Sequence, residues 1–600
     1  MSALQERRAI GSSLPRLDGP AKVTGTARYA FEQPVDDPLY VHPVQATIAR
    51  GRLTAIDTSA AEAIRGVVGV LTHINAPRLA PTKDTNAVLF RISALAELES
   101  ATTDRELAIL QSDEIAFRGQ LIGAVIAETA EVARHAAGVM RVEYAKQEHD
   151  AEFGADRDDL YAPDRVNPAL PTDTSQGDVE AALASAAVTV DQTYTTPAEH
   201  CQPMEPHSTI ALWDDTGLVL YDSTQSVHTV RAILAPMFGL GLDRLRVISH
   251  HVGGGFGAKG LPHAHNVLAA LAAKTVPGRP VKLALTRQQM FSLVGYRTPT
   301  IQRMRLGAQA DGRLTAIALD VIEQTSKIKE FAESTGTPTR IMYAAPNRRT
   351  THRLAALDVP VPSWMRAPGR CPGMFGPEVA MDELAVACGL DPVQLRIVNE
   401  PERDPESGRP WSNRNLVGCL REGARRFGWE RRDPTPTSRR RNGWLIGTGV
   451  ASGTYPGSTL PGSRAKVRFG RDRRYLVQIG AADIGTGTWT ALTQIAADAL
   501  RCPVEAVQLE IGDSALPTAT VAGGSSGISS WGSAIVAAAR AFRERHGTNP
   551  AEGDEVETEA PDHPDAGRFA VHSFGAQFAE VHVHAETGEI RVPRMLGVFS

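Results

Sequence analysis

The chain reads as a large multi-domain α+β protein, with a small N-terminal α+β domain followed by two mixed α/β regions. Three observations predict this. Its 600 residues exceed what one hydrophobic core usually organises. Short apolar strands alternate with helix-like stretches, without the regular βαβ rhythm of a barrel. Glycine-rich turns recur at strand–helix junctions, and 53 glycines and 39 prolines lie slightly above ordinary usage.

In chain order, the first domain, residues 1–150, carries the strands LYVHPVQATIARG, VVGVLTH and QLIGAVIAET and a helix over Ala130–Gly138. Residues 151–175 are polar and rich in proline and aspartate, an extended linker. The second region, 176–430, opens with strands at Val188–Val190, Thr209–Trp213, Leu218–Tyr221 and Arg246–Ser249. An Ala/Leu helix follows over Pro262–Lys274, then a strand at Val281–Leu285 and a helix over Glu378–Cys388 that stops at Gly389. Asp391 caps the next helix, with Pro392 in its first turn. The basic, breaker-rich stretch 431–442 forms a second linker, and 443–600 is the third region. Within it, seven acidic residues between Glu552 and Asp565 predict a solvated loop. The last residues, IRVPRMLGVFS, read as an apolar strand without a closing element, so the chain reads as cut short.

Composition narrows the function classes. Basic and acidic residues nearly balance, 63 against 68, which argues against a polybasic nucleic-acid or membrane-surface binder. Five scattered cysteines without a CxxC pair argue against a disulfide framework and a cysteine-held zinc or iron–sulfur site. No apolar run reaches the ~18–20 residues that span a bilayer, and no secretory signal is readable at the start.

The loudest local signal is His250-His251-Val252-Gly253-Gly254-Gly255-Phe256-Gly257-Ala258-Lys259-Gly260, after a strand and before a helix. Four glycines in five positions let the backbone approach a ligand and turn its N–H groups inward, which suits an oxyanion. A Walker A loop needs G-x-x-x-x-G-K-S/T, but Gly260 follows Lys259. A dinucleotide fingerprint needs an acidic residue about 20 positions on, and none lies between Ala258 and Asp311. Two further loops repeat the theme: Asp483-Ile484-Gly485-Thr486-Gly487-Thr488 and Gly523-Gly524-Ser525-Ser526-Gly527. Each alone is an ordinary turn; together they suit a long ligand with several anionic or polar parts.

Softer constellations carry alternatives. The segment Glu199-His200-Cys201-Gln202-Pro203-Met204-Glu205-Pro206-His207 gathers polar groups but lacks the HExxH helix, so structural residues are favoured over a zinc site. His582 and His584 share a strand face, with chance alternation the simpler account. Ser525 satisfies G-x-S-x-G in letters, yet Gly527, Ser529 and Ser530 are expected to delay the following helix, against a nucleophile elbow. Arg366, beside Pro368-Gly369, is either an anion-directed fork or a plain surface arginine.

In this order the pieces resemble the molybdenum-cofactor-binding large subunit of the xanthine dehydrogenase and aldehyde oxidase family, nearest its bacterial aldehyde-oxidising members. The marks are Arg16–Tyr29 (RLDGPAKVTGTARY), Glu199-His200, Met204–His207, Ser223–Ser226, the GGGFGAKG loop, Trp364–Gly369, Met381–Ala385, Asp483–Thr488 and Gly523–Ser526. The resemblance implies that Gln225 hydrogen-bonds an oxo ligand of molybdenum, and that Gly254, Gly255, Phe256 and Gly257 pass over the metal end of a pterin. It implies that Arg366 is the active-site arginine beside substrate and cofactor. Gly485, Thr486 and Gly487, with Gly523, Gly524, Ser525 and Ser526, resemble the segments that hold the pterin and its phosphates. No side chain would ligate the metal.

The implied activity is oxidation of an aldehyde to a carboxylic acid with water as oxygen source. The implied cofactor is molybdenum–molybdopterin in its cytosine dinucleotide form. Electrons would leave to a small subunit with [2Fe-2S] clusters and a medium FAD subunit. Gly260 stands where purine-oxidising relatives carry a glutamate, which favours an aldehyde, and Arg370 stands where an acidic residue is frequent. The family's glutamate base, in a C-terminal Gly-Glu motif, has no counterpart here. A xanthine or N-heterocycle dehydrogenase and a catalytically incomplete scaffold are the alternatives. The resemblance leaves open a cytoplasmic location or a periplasmic one reached by co-export with the small subunit.

Overall fold

Leu121–Ala127 (LIGAVIA) is buried at every position, so it is a central strand, flanked by Leu39–Gln45 on one side and Val67–Thr72 on the other. In the computed structural model, which describes residues 9–81, 105–167, 169–562 and 565–600, this small sheet does not end there. Leu39–Gln45 pairs in parallel with Val281–Ala284, and a seven-stranded sheet continues through Ser208–Asp214, Gly217–Asp222 and Leu245–Ile248. The helix Ala264–Thr275 is buried continuously from Ala264 to Ala273. Such all-round apolarity belongs to a helix enclosed on every side, and it lies in the core that joins both parts of the sheet. The first and second regions thus share one core.

A five-stranded sheet, ordered Val188–Thr196, Thr300–Ala308, Leu314–Ser326, Asn347–Leu357 and Thr174–Gln176, carries the middle of the chain. The helix Arg370–Ala387 packs on it. This helix starts earlier than the sequence suggested, despite Pro372 and Pro377, because the turn at Ala367–Gly369 leads straight into it. The strands Trp444–Pro456 and His572–His584 pair along their whole length and share a core with that helix and with Leu416–Phe427. A last unit places the helices Thr488–Leu500 and Gly527–His546 on the sheet Val507–Glu510, Tyr475–Gln478, Arg464–Phe469, Glu555–Glu559.

Two sequence expectations change here. The acidic stretch is not all loop: Glu555–Glu559 is an edge strand, because its carboxylates alternate outward and meet Lys466 and Arg464 on the neighbouring strand. The helix after the third glycine loop begins directly at Gly527. The serines expected to delay it are absorbed, since Ser529 and Ser530 donate to the Ser526 carbonyl at 2.8 Å each.

Candidate cofactor site

Gln225 leaves the end of strand Gly217–Asp222 just before helix Val227–Met237, and it is buried. Its Oε1 accepts from the Gly257 N–H at 2.9 Å and the Lys259 N–H at 3.3 Å. Its Nε2 donates to the Ala522 carbonyl at 2.7 Å, and the Ala522 N–H donates back to the Gln225 carbonyl at 2.9 Å. One side chain therefore ties the first glycine loop to the segment entering the third. These contacts fix the amide orientation, and among the described residues its second N–H meets no acceptor. Gly255 is dictated by this approach: a Cβ there would lie 2.5 Å from Gln225 Oε1. Gly257 faces a similar limit, 2.5 Å from the Trp364 carbonyl, at φ +104°.

Buried side chains hold the loop from beneath. Lys259, its side chain fully enclosed, donates to Glu205 Oε2 and to the Glu205 carbonyl at 2.9 Å each. The Gly253 N–H donates to the same carboxylate oxygen at 2.7 Å. Burial pulls the Lys259 ammonium below its ordinary pKa, with Glu205 opposing. Nε2 of His207 and of His263 lies 3.0 and 2.8 Å from the Ala258 carbonyl. Burial, with His265 and Lys259 nearby, keeps His207 neutral, so it donates there. The polar groups of segment 199–207 thus diverge into separate tasks: Glu199 pairs with Arg297 at 2.6 Å, and His200 stacks on Tyr296. Among the described residues no group of His, Cys, Asp or Glu side chains has a metal-holding arrangement.

The Arg366 turn joins the loop through its backbone, the Arg366 N–H donating to the Phe256 carbonyl at 2.8 Å. Arg297 reaches across, donating to Glu199 and to the Arg366 carbonyl. Beneath it, Glu333 Oε1 accepts from the Gly369 N–H at 2.7 Å and lies 4.0 Å from Arg297 Nε. Glu323 accepts from the Glu333 N–H at 3.0 Å. Burial pushes Glu333 up to about 7. Burial and the neighbouring Glu333 push Glu323 to about 8. The Arg366 side chain is exposed and meets no protein partner among the described residues. No local sequence pattern singles out Arg297, Glu323 or Glu333; only the fold brings them under the turn.

The remaining loops close the arrangement. The Val252 N–H donates to the Asp483 carbonyl at 3.1 Å, linking first loop to second. Gly485 donates its N–H to Asp483 Oδ1 at 2.8 Å, and Gly487 caps helix Thr488–Leu500. Arg16 donates to the Gly485 carbonyl at 3.0 Å, while Lys22 pairs with Asp18 and lies 3.9 Å from Asp483. In the third loop Ser526 is buried, its Oγ donating to the Gly523 carbonyl at 2.8 Å, whereas Gly524 and Ser525 are exposed. Every nominated residue therefore falls within one cluster of linked loops. Ser525 makes no hydrogen bond to an acid or histidine among the described residues, against a hydrolase reading.

This cluster offers donors to a polar ligand. Among the described residues, the N–H groups of Gly254, Gly255, Phe256, Thr486, Gly487, Gly524 and Ser525 meet no protein acceptor. The second and third loops also stand at the N-termini of long helices, where anions are favoured. A pterin bearing phosphates matches that donor set.

Comparison with known proteins agrees. Residues 24–148 match the aldehyde oxidase and xanthine dehydrogenase a/b hammerhead domain. Residues 162–400 and 422–562 each match a molybdopterin cofactor-binding domain. The chain is 35% identical to the aldehyde oxidoreductase molybdenum-binding subunit PaoC of Escherichia coli (strain K12), over 99% of this chain and 82% of that protein. It superposes on the aldehyde oxidoreductase of Desulfovibrio desulfuricans with a TM-score of 0.82 at 25% identity, covering 100% of this chain and 69% of that one. Quinoline 2-oxidoreductase of Pseudomonas putida 86, at 21% identity, shares the fold with a TM-score of 0.83 over 99% and 83% of the two chains. The chain thus belongs to the xanthine dehydrogenase and aldehyde oxidase family, as a molybdenum-dependent oxidoreductase with the fold of its molybdopterin-binding subunit.

Proposed function

We propose that this subunit oxidises aldehydes to carboxylic acids, with water as the oxygen source, in complex with a small [2Fe-2S] subunit and a medium FAD subunit. The observation that carries the reading is the junction at Gln225, where one buried amide binds the first loop to the segment entering the third while Phe256 holds the Arg366 turn. Bound there, the molybdenum–pterin group would supply the two-electron redox and Lewis-acid chemistry. The second Nε2–H of Gln225 would donate to an oxygen of that group. Gly254, Gly255, Phe256 and Gly257 would cover its metal end, and the second and third loops would bind its phosphates, in the cytosine dinucleotide form. Arg366, at the rim and unpaired among the described residues, would orient the substrate and stabilise negative charge developing on its oxygen.

Gly260 favours an aldehyde over a purine. With glycine there, the position carries no carboxylate to engage a heterocycle. The Escherichia coli relative, named an aldehyde oxidoreductase, points the same way. Among the described residues no helix is long and apolar enough to cross a membrane. The reading places the complex in the cytoplasm, or in the periplasm if a partner carries an export signal.

The test is molybdenum and released nucleotide on the purified complex, followed by aldehydes assayed beside xanthine and nicotinate. About one molybdenum and one CMP per subunit, with turnover of aldehydes alone, is the expected result. Turnover of a heterocycle in preference to aldehydes would replace this reading with that of an N-heterocycle dehydrogenase, and absence of metal and nucleotide would leave a scaffold.

A further inference from the structure

Away from the cofactor cradle, the strands Thr174–Gln176 and Asn347–Leu357 and the helix Thr337–Met342 enclose a cavity of about 150 Å³. None of its lining residues belongs to the cradle. Three arginines line it, Arg340, Arg348 and Arg349, with Glu406 at its exposed side. We propose that this cavity binds a compact oxyanion of the phosphate class, either the free ion or the phosphoryl group of a larger molecule.

The three guanidiniums differ in their commitments. Arg349 is already compensated, donating to Glu180 at 3.0 Å and to Asp320 at 3.2 Å. Among the described residues Arg348 donates to neutral acceptors alone: the Arg340 carbonyl at 3.0 Å, and Gln176 Oε1 and the Pro405 carbonyl at 2.5 Å each. Arg340, 4% exposed, uses Nε on Thr350 at 2.9 Å and Nη2 on the Pro171 carbonyl at 3.0 Å and the Thr172 carbonyl at 3.2 Å. Its Nη1 is buried without a hydrogen bond. Glu406 Oε1, 3.7 Å from that nitrogen, lies beyond hydrogen-bond reach.

Glu406 and Asp404, the carboxylates beside these two cationic forks, meet neither of them at hydrogen-bond distance among the described residues. Arg348 Nε on the strand and the Thr339 hydroxyl on the helix are likewise buried without partners among the described residues. Water would satisfy the open donors but would bring no negative charge into contact with the forks. An oxyanion does both, and guanidinium forks match its oxygens. A cavity of this size admits benzene, so a phosphate fits. Donors arriving from the helix and from the strand suit a tetrahedral ion better than a planar carboxylate. Glu406, in this arrangement, is the anion's competitor for Arg340.

The experiment is calorimetric titration of the cofactor-loaded complex with inorganic phosphate, against chloride at equal ionic strength. Wild type should bind phosphate saturably. Glu406→Gln should tighten binding by about fivefold, through loss of the competing charge, and Arg348→Gln should weaken it by about tenfold. Arg340 is too deeply buried to serve as the test position; Glu406 is exposed and its glutamine is isosteric. AMP binding tighter than phosphate would assign the site to a phosphoryl group on a larger molecule, and weaker binding to the free ion. No saturable phosphate binding by wild type, or affinity unmoved by both substitutions, would overturn the proposal.

Discussion

Around the first glycine loop buried side chains from several elements reinforce the backbone, whereas the second and third loops rest more on backbone and helix ends. Gln225, Glu205, Lys259 and His207 grip the former. Gly487 and Ser526, each at the start of a long helix, set the latter, with Arg16 the main side-chain visitor. The difference fits the division of labour proposed for the two ends. An end that handles a reacting centre needs its atoms fixed to a fraction of an ångström, which packed side chains provide. An end that binds phosphates needs donors and a helix N-terminus, which tolerate looser placement. The contrast predicts that substitutions at the first loop cost far more than substitutions at the third.

Gly255→Ala should be the most severe. The new Cβ must displace Gln225 Oε1 from 2.5 Å, and the amide can move only by releasing Gly257 or Ala522. Turnover should fall about a hundredfold or more, by misplacement of the reacting end, with molybdenum content reduced. Full activity in this variant would show that the Gln225 junction is not what organises the site. Next in size is Lys259→Met, which strands the largely buried Glu205 charge. Loss of one partner of a buried pair costs about 3–5 kcal/mol, read as a lower midpoint in urea denaturation. The double variant with Glu205→Gln should recover part of it. A single-variant loss below about 1 kcal/mol would instead class the pair with exposed ones.

The loops were the legible part of the sequence. Glycine runs between a strand and a helix announce themselves locally, so the positions of Gly254–Gly257, Gly485–Gly487 and Gly523–Ser526 could be read before any fold was known. Their supports could not. Arg297 meets Glu199 across 98 residues of chain, and Gln225 meets Ala522 across 297; no local period encodes either pairing. The pairing of Leu39–Gln45 with Val281–Ala284 was hidden for the same reason, since a strand's pattern states that it is buried but not against what. The acidic stretch misled because charge density was read as exposure, while alternation, the strand signal, lay inside it at Glu555–Glu559.

The buried carboxylates beneath the Arg366 turn supply a third contrast, because Glu323 and Glu333 neighbour each other, whereas buried Asp483 in the second loop lies beside Lys22. Glu323 and Glu333, pushed by burial to about 8 and about 7, bind protons more strongly folded than unfolded. Their contribution to stability is fully present below the unfolded carboxyl range, near pH 4.5, and is lost as pH rises through about 8. Folding stability should therefore fall by about 6 kcal/mol from pH 5 to pH 8. Glu323→Gln, which cannot ionise, should flatten most of that slope in denaturation curves taken across the range. An unchanged slope would place the titrating groups elsewhere.

Ser525→Ala should do least. Ser525 is exposed in the third loop at φ +55°, and its hydroxyl makes no hydrogen bond among the described residues. What the cradle takes from this position is the backbone N–H, and alanine keeps it. Serine and alanine carry the same Cβ, so the left-handed conformation costs both alike. Aldehyde turnover and nucleotide content should therefore stay within about twofold of wild type, a difference of a few tenths of a kcal/mol. A nucleophilic serine would behave otherwise, since losing its hydroxyl removes about 10³-fold or more of the rate. A fall beyond about tenfold in kcat/KM, about 1.4 kcal/mol, would mean that the hydroxyl itself grips the ligand. The division between a side-chain end and a backbone end of the cradle would then fail at the position where it makes its mildest claim.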